Sequence, residues 1–253
     1  MRKVLVLTII AIIASSIFLF YYNNNPEIIA SSLARKTNTQ VKELIYRVNV
    51  LGILPVANAV LKIGQIQDYN GQQVYHLSLT AAPLKWCAKM FNSSATLDSY
   101  VDINTLDPIL FSQKAVIFGE KAIGKEVYYD QKNGIMTLNN VRRQILPHTQ
   151  DPLSLLVNAM RMEFDKVEGL EMNINTNQKN YVFKGAIQSR GISIGKKTYK
   201  LVFLDADIKR RENSPYHQSK ISIVFCRGKE NIPILIKIFS SGAFLNAKLI
   251  DIR

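Results

Sequence analysis

Leu44-Ile45-Tyr46-Arg47-Val48-Asn49-Val50, Val56-Ala57-Asn58-Ala59-Val60-Leu61-Lys62-Ile63 and Gln73-Val74-Tyr75-His76-Leu77-Ser78-Leu79-Thr80 follow one another in the first third of the chain. In the third run Gln73, Tyr75, Leu77 and Leu79 recur at every second position. That period marks a β-strand with one buried face, because successive side chains point to opposite sides. Similar runs, rich in Val, Ile, Tyr, Phe and Thr, return at 97–101, 111–118, 126–130, 134–138, 170–175, 181–188, 197–206, 220–226, 233–239 and 243–252. Asn70-Gly71 and Lys132-Asn133-Gly134 separate neighbouring runs, and Ser241-Gly242 precedes the last. Asn-Gly favours the two positive φ angles of a type I′ turn, so both Asn-Gly pairs predict hairpins. Many short strands with tight turns predict one large antiparallel sheet and not alternating βα units.

One segment departs from the period of two. Asp151-Pro152-Leu153-Ser154 opens a helix predicted to run to about Glu163. Asp151 suits the N-cap, and Pro152 suits the first helical position because its missing amide would have no partner there. Leu153, Leu156, Val157 and Met160 fall on one apolar stripe, which should lie against the concave face of the sheet. Further helical turns are expected at 84–91, where Trp86, Met90 and Phe91 cluster, and at 26–34.

The chain of 253 residues carries 32 Lys+Arg against 19 Asp+Glu, a net charge of +13, with 47% hydrophobic residues. Wholesale disorder is excluded by that apolar content. Arg2 and Lys3 precede an apolar run from Val4 to Tyr22 that ends at Asn23. As a helix it would span about 28 Å, close to a bilayer core of about 30 Å. Residues 1–25 therefore read as a signal peptide or an uncleaved N-terminal membrane anchor, with the rest of the chain exported. Residues 26–40 read as a linker or short helix, and 41–253 as a single antiparallel β domain. Without the two basic residues of the apolar segment, 30 bases face 19 acids, a charge of +11. Such a surface favours anionic partners, and export makes nucleic acid the least suited of them.

Glu43-Leu44-Ile45-Tyr46-Arg47-Val48 with Leu51-Gly52-Ile53-Leu54-Pro55-Val56, Ser99-Tyr100-Val101-Asp102 with Thr105-Leu106-Asp107-Pro108, Gln150-Asp151-Pro152-Leu153-Ser154, and Ile232-Pro233 with Ser241-Gly242 occur in that order over about residues 40–250. Together they resemble the bacterial exported family known as domain of unknown function 3108. The resemblance implies a cell-envelope protein whose curved sheet, a half-barrel like those of lipoprotein carriers, wraps one central helix. It implies no activity. Two places depart from the family's pattern. Val224-Phe225-Cys226-Arg227-Gly228 stand where a Trp and paired acids are expected, and Ala57-Asn58 where a Gly often follows Pro55-Val56.

Chemistry is sparse. His76, His148 and His217 are far apart, and no HExxH or His/Cys cluster supports a metal site. Gly191-Ile192-Ser193-Ile194-Gly195-Lys196-Lys197-Thr198 lacks the glycine and hydroxyl positions of a phosphate loop and reads as a basic hairpin turn. No nucleophile–base pair can be named, so no enzyme and no cofactor is expected. Cys87 and Cys226 either pair in an oxidising compartment or stand as buried thiols. Asp102, Asp107 and Asp151 form an acidic cluster if their segments meet, or else serve a turn and a helix cap.

Two function classes remain. In the first, Trp86, Phe91, Leu153, Leu156 and Met160 line an apolar cavity for a lipid or lipidated ligand, opened by displacement of the helix. In the second, the chain is a structural or assembly factor that holds another envelope protein through its sheet edges or basic face. Lys196, Lys197, Lys209, Arg210 and Arg211 form either a patch for an anionic surface or solvated loops.

Overall fold

A computed structural model describes residues 25–33, 43–89, 92–116, 119–120, 122–176, 179–194, 197–212, 218–228, 230–240 and 242–253. The apolar segment at 4–22, together with Phe91, Lys196 and His217, lies outside them. Among the described residues no helix is long and apolar enough to cross a membrane.

The strands are β1 (Glu43–Val50), β2 (Leu54–Tyr69), β3 (Gln72–Pro83), β4 (Ser94–Asp102), β5 (Pro108–Val116), β6 (Ile123–Asp130), β7 (Ile135–Leu138) and β8 (Val141–Gln144), followed by β9 (Gly169–Thr176), β10 (Lys179–Ile194), β11 (Lys197–Arg210), β12 (Gln218–Arg227), β13 (Asn231–Ser240) and β14 (Ala243–Ile252). The helices are α1 (Pro26–Leu33) and α2 (Pro152–Arg161), with a 3₁₀ turn at Phe164–Lys166. All strands belong to one antiparallel sheet ordered β8-β7-β6-β5-β4-β3-β2-β1-β14-β13-β12-β11-β10-β9. Consecutive strands are therefore spatial neighbours, except that β8 and β9 lie at opposite edges of the sheet, while the last strand pairs with the first.

The sheet must curve, and α2 shows how much. The helix packs against β3, β4, β9 and β13. β4 and β9 stand nine strand steps apart, about 43 Å if the sheet were flat. A helix about 10–12 Å thick touches both only if the sheet bends around it. The ends of the sheet are also tied together. Gln150 pairs with Ile174 of β9 through a parallel bridge, and Asn180 of β10 donates to the carbonyl of Gln144 on β8 at 3.0 Å. Asn173 likewise donates to the Pro147 carbonyl at 2.8 Å. The expected half-barrel is thus drawn nearly shut, because the segment after β8 supplies the edge of β9 with partners that an open sheet would lack.

Most of the core lies between α2 and the inner face, including Leu44, Leu61, Leu77, Val101, Phe183, Leu204, Ile234 and Leu249. A second cluster of Phe111, Val127, Tyr129, Met136, Leu138 and Ile145 fills the β5–β8 end. α1 buries Ile29 and Ala30 against β13 and β14, and Glu27 faces Arg190 at 3.9 Å.

Several local expectations change. Asn70 and Gly71 have φ values of 54° and 80°, as a type I′ turn requires. Asn133-Gly134 instead ends a longer turn, where the Asp130 carboxylate accepts from the Asn133 backbone and side chain. The two-residue turn with paired positive φ appears at Asn139-Asn140. The helix expected at 84–91 is a series of turns as far as it is described, and α2 ends at Arg161, two residues early. Cys87 and Cys226 are both buried free thiols. Burial pushes the Cys226 thiol up to about 11, consistent with an inert apolar filler.

Candidate functional site: an apolar cavity under the helix

Between α2 and the inner face of the sheet lies a cavity of about 350 Å³. Its helix wall is Leu153, Leu155, Leu156 and Ala159. Its sheet wall comes from β1–β4 and β9–β14, with Tyr46, Leu97, Leu170, Phe183, Leu204, Ile236 and Leu245 among the side chains. At roughly 30 Å³ for a water-sized group, it has room for about a dozen heavy atoms. Pockets for small ligands begin near that size, about 300 Å³.

Two polar groups touch this wall, and both have partners. Tyr46 donates its hydroxyl to the Pro233 carbonyl at 2.8 Å, and burial raises its pKa. Asn246 accepts from Asn49 at 2.7 Å and donates to the Gly52 carbonyl at 3.3 Å. The remaining surface is hydrocarbon, so the space favours an apolar occupant over water, which needs two to four polar partners.

The helix wall is held in place by a buried polar network. Asp151 caps α2, accepting from Leu153 N at 2.7 Å and Ser154 N at 3.1 Å, while Ser154 Oγ accepts from Asp151 N at 2.9 Å. Ser99 on β4 donates to the second Asp151 oxygen at 2.6 Å. Burial raises the Asp151 pKa, and the hydrogen bonds from Ser99, Ser154 and Leu153 oppose that rise. Next to it, Gln150 donates to Asp107 at 2.8 Å and accepts from Asn158 of α2 at 2.9 Å, while His148 Nδ1 lies 2.8 Å from the other Asp107 oxygen. Asp107 and Asp151 thus anchor the same helix start to the β4–β5 region. Asp102 instead holds its own turn, accepting from Asn104 N and Thr105 N. The motif 150–154 is a fastening for the cavity wall.

The structure brings together Leu153 and Leu156 on the cavity wall. Met160 is buried in the core one turn further on but lies off that wall. Trp86 does not line the cavity; it is about half exposed, with its indole donating to the Pro55 carbonyl at 3.1 Å. The β3–β4 connection turns outward there because Cys87, and not the indole, fills the space beneath it. Tyr46, Phe183, Ile236, Leu245 and Asn246 were not legible as lining residues, since their inward alternation was visible but the order of the strands was not.

Among the described basic residues, Lys197 lies far from Lys209, Arg210 and Arg211. Lys197 begins β11 and Arg210 ends it, thirteen residues and about 43 Å along an extended strand. At the far end Lys209 faces Asp207 at 3.8 Å, Arg210 pairs with Glu212, and Arg211 bonds the Asn173 side chain. Among the described residues, no group of three or more His, Cys, Asp or Glu side chains could hold a metal ion.

No curated protein matches the chain. The crystal structure of a β-barrel-like protein of domain of unknown function DUF1849 from Brucella abortus is similar, with a TM-score of 0.56 at 10% identity, covering 85% of this chain and 99% of that one. At that identity the likeness concerns the fold alone, and it agrees with the nearly closed sheet. The family model described as "Protein of unknown function (DUF3108)" matches residues 45–242, which is most of the chain and runs from Ile45, within the first motif block, through the other three to Gly242. The chain belongs to the DUF3108 family.

Proposed function

We propose that this protein is a non-catalytic carrier of the bacterial cell envelope that shelters an apolar chain, such as an acyl group, between α2 and the curved sheet. The observation that carries this reading is the cavity of about 350 Å³ walled by hydrocarbon from α2 and ten strands. Each methylene moved from water into it gains about 0.8 kcal/mol, so a chain of eight to ten carbons gains several kcal/mol before the cost of ordering it. The basic flank and apolar run at residues 2–22 support export and an envelope location. The absence of any nucleophile–base geometry at the cavity, whose polar groups are Tyr46 and Asn246, supports binding without turnover.

Titration with a fluorescent fatty acid tests the reading. The expected result is saturable binding of about one probe per chain, displaced by unlabelled acyl chains and weakened by a bulky side chain at Ala159. Probe that stays in water at micromolar protein would contradict it.

A further inference from the structure

Resting on the carrier reading, we infer that the rim of the cavity mouth is a docking surface for an anionic lipid bilayer. Ile238 and Leu245 line the cavity and are also partly open to solvent, which places its mouth at the β13–β14 hairpin end. The β1–β2 turn sits on the same lip, because Val50 pairs with both Leu245 and Leu54, and Leu51 N donates to the Phe244 carbonyl at 2.9 Å.

At this lip the chain presents large apolar side chains outward. Leu51 is 63% exposed, Leu54 45% and Trp86 53%. The indole of Trp86 is fixed to the Pro55 carbonyl, so it belongs to the same rim. Leu51 also adopts a φ of 53°, followed by Gly52 at 76°. A bulky residue in the left-handed region is uncommon and costs conformational energy. Here that backbone holds a leucine in water, where folding alone gains nothing from it.

The occupant follows from charge and geometry. Lys85 and Lys89 are exposed on either side of Trp86, and neither pairs with an acid among the described residues. Tryptophan between apolar tips and lysines is the composition that settles at the headgroup level of a membrane, with hydrocarbon below and phosphates beside the ammonium groups. α1 lies away from this lip: it packs on β13 and β14, and its Glu27 faces Arg190, which the strand register places level with the start of β13. With the mouth seated on a bilayer, an acyl chain can pass between membrane and cavity without crossing water.

Trp86 is the single tryptophan, so its emission reports this rim alone. The full-length protein is reconstituted in phosphatidylcholine vesicles and mixed with acceptor vesicles of phosphatidylglycerol and brominated phosphatidylcholine. The expected result is a blue shift and at least twofold quenching of Trp86, absent with brominated acceptors lacking phosphatidylglycerol. Both effects are lost in the Lys85→Glu/Lys89→Glu variant, whose circular dichroism stays unchanged. Unaltered Trp86 emission with anionic acceptors overturns the proposal. So does emission altered only by an added envelope protein extract, which would make the rim a protein interface. Fatty-acid titration of the same samples separates the two readings: probe binding with no quenching sinks the rim and spares the carrier, and loss of probe binding sinks the carrier.

Discussion

Ser99 on β4 donates its hydroxyl to the carboxylate of Asp151 at 2.6 Å, and both residues are fully buried. The bond joins positions 52 apart in sequence and locks the start of α2 to the sheet. Asp151→Ala removes an N-cap and strands a buried hydroxyl and two amides. It should lower stability by about 2–4 kcal/mol, combining cap loss with unsatisfied buried donors. Ser99→Ala leaves the cap in place and should cost about half as much. Urea midpoints at constant m-value measure both.

The same carboxylate sets a pH signature. Burial raises the folded pKa of Asp151 above its usual 3.8. Between those two values the native state holds more protons than the unfolded state, so this group's contribution to stability falls as pH rises through the window. Asp151→Asn should therefore flatten the stability profile just above pH 4. Asp165 has the opposite sign. Hydrogen bonds from Arg227 and Lys200 hold it down at about 2, so its contribution is present above pH 3.8 and is lost as pH falls towards 2. Asp165→Asn should remove part of the acid sensitivity below pH 4. Parallel melts of the three proteins from pH 2 to 7 separate the two effects.

Two glycines predict sharp intolerance. A Cβ on Gly185 would lie 2.7 Å from Leu204 Cδ1 and 2.9 Å from Ala206 Cβ, and one on Gly64 would lie 2.5 Å from the His76 carbonyl. Gly64 sits where the β2–β3 register slips between Ile63 and Ile66, so the backbone itself blocks the methyl group. Gly64→Ala should cost at least as much as ordinary overpacking, about 1–3 kcal/mol. Gly185→Ala should cost less than Gly64→Ala, because Leu204 Cδ1 can rotate away and the backbone then has to shift only enough to relieve the 2.9 Å contact with Ala206 Cβ. Thermal melts of the two variants check the order.

The strand pattern announced most of this architecture because a sheet with one buried face must alternate. β14 was readable to the residue, and Asp151-Pro152 announced α2 through cap chemistry that is local. β8 was missed because Val141-Arg142-Arg143-Gln144 is exposed throughout and buries no face to alternate. β2 was read too short because its last turn-ward residues, beyond the Gly64 irregularity, are mostly exposed. The cavity wall was only half visible. Leu153 and Leu156 follow from helix periodicity, but Phe183, Ile236 and Leu245 reach it through the curvature and closure of the whole sheet, which no local window contains. Trp86 looked like a core residue by composition alone, and the turn at 85–89 carries it outside.

Filling the cavity should act on stability and binding in opposite directions. Ala159 lies on α2 with its side chain on the cavity wall. Ala159→Leu adds three carbons to empty apolar space and should raise the melting temperature of lipid-free protein by a few degrees, at about 0.8 kcal/mol per methylene less the rotamer entropy lost. The same change should weaken acyl-chain binding severalfold. A variant that loses stability would mean the space is already occupied by packed side chains.

The most direct measurement is organic extraction and mass spectrometry of the full-length protein purified from bacterial cells, beside the Ala159→Phe variant with matched circular dichroism. About one acyl-bearing molecule per wild-type chain, and severalfold less in the variant, is the predicted result. Wild-type protein that yields no apolar molecule, or yields the same amount as Ala159→Phe, would contradict an apolar cargo beneath the helix.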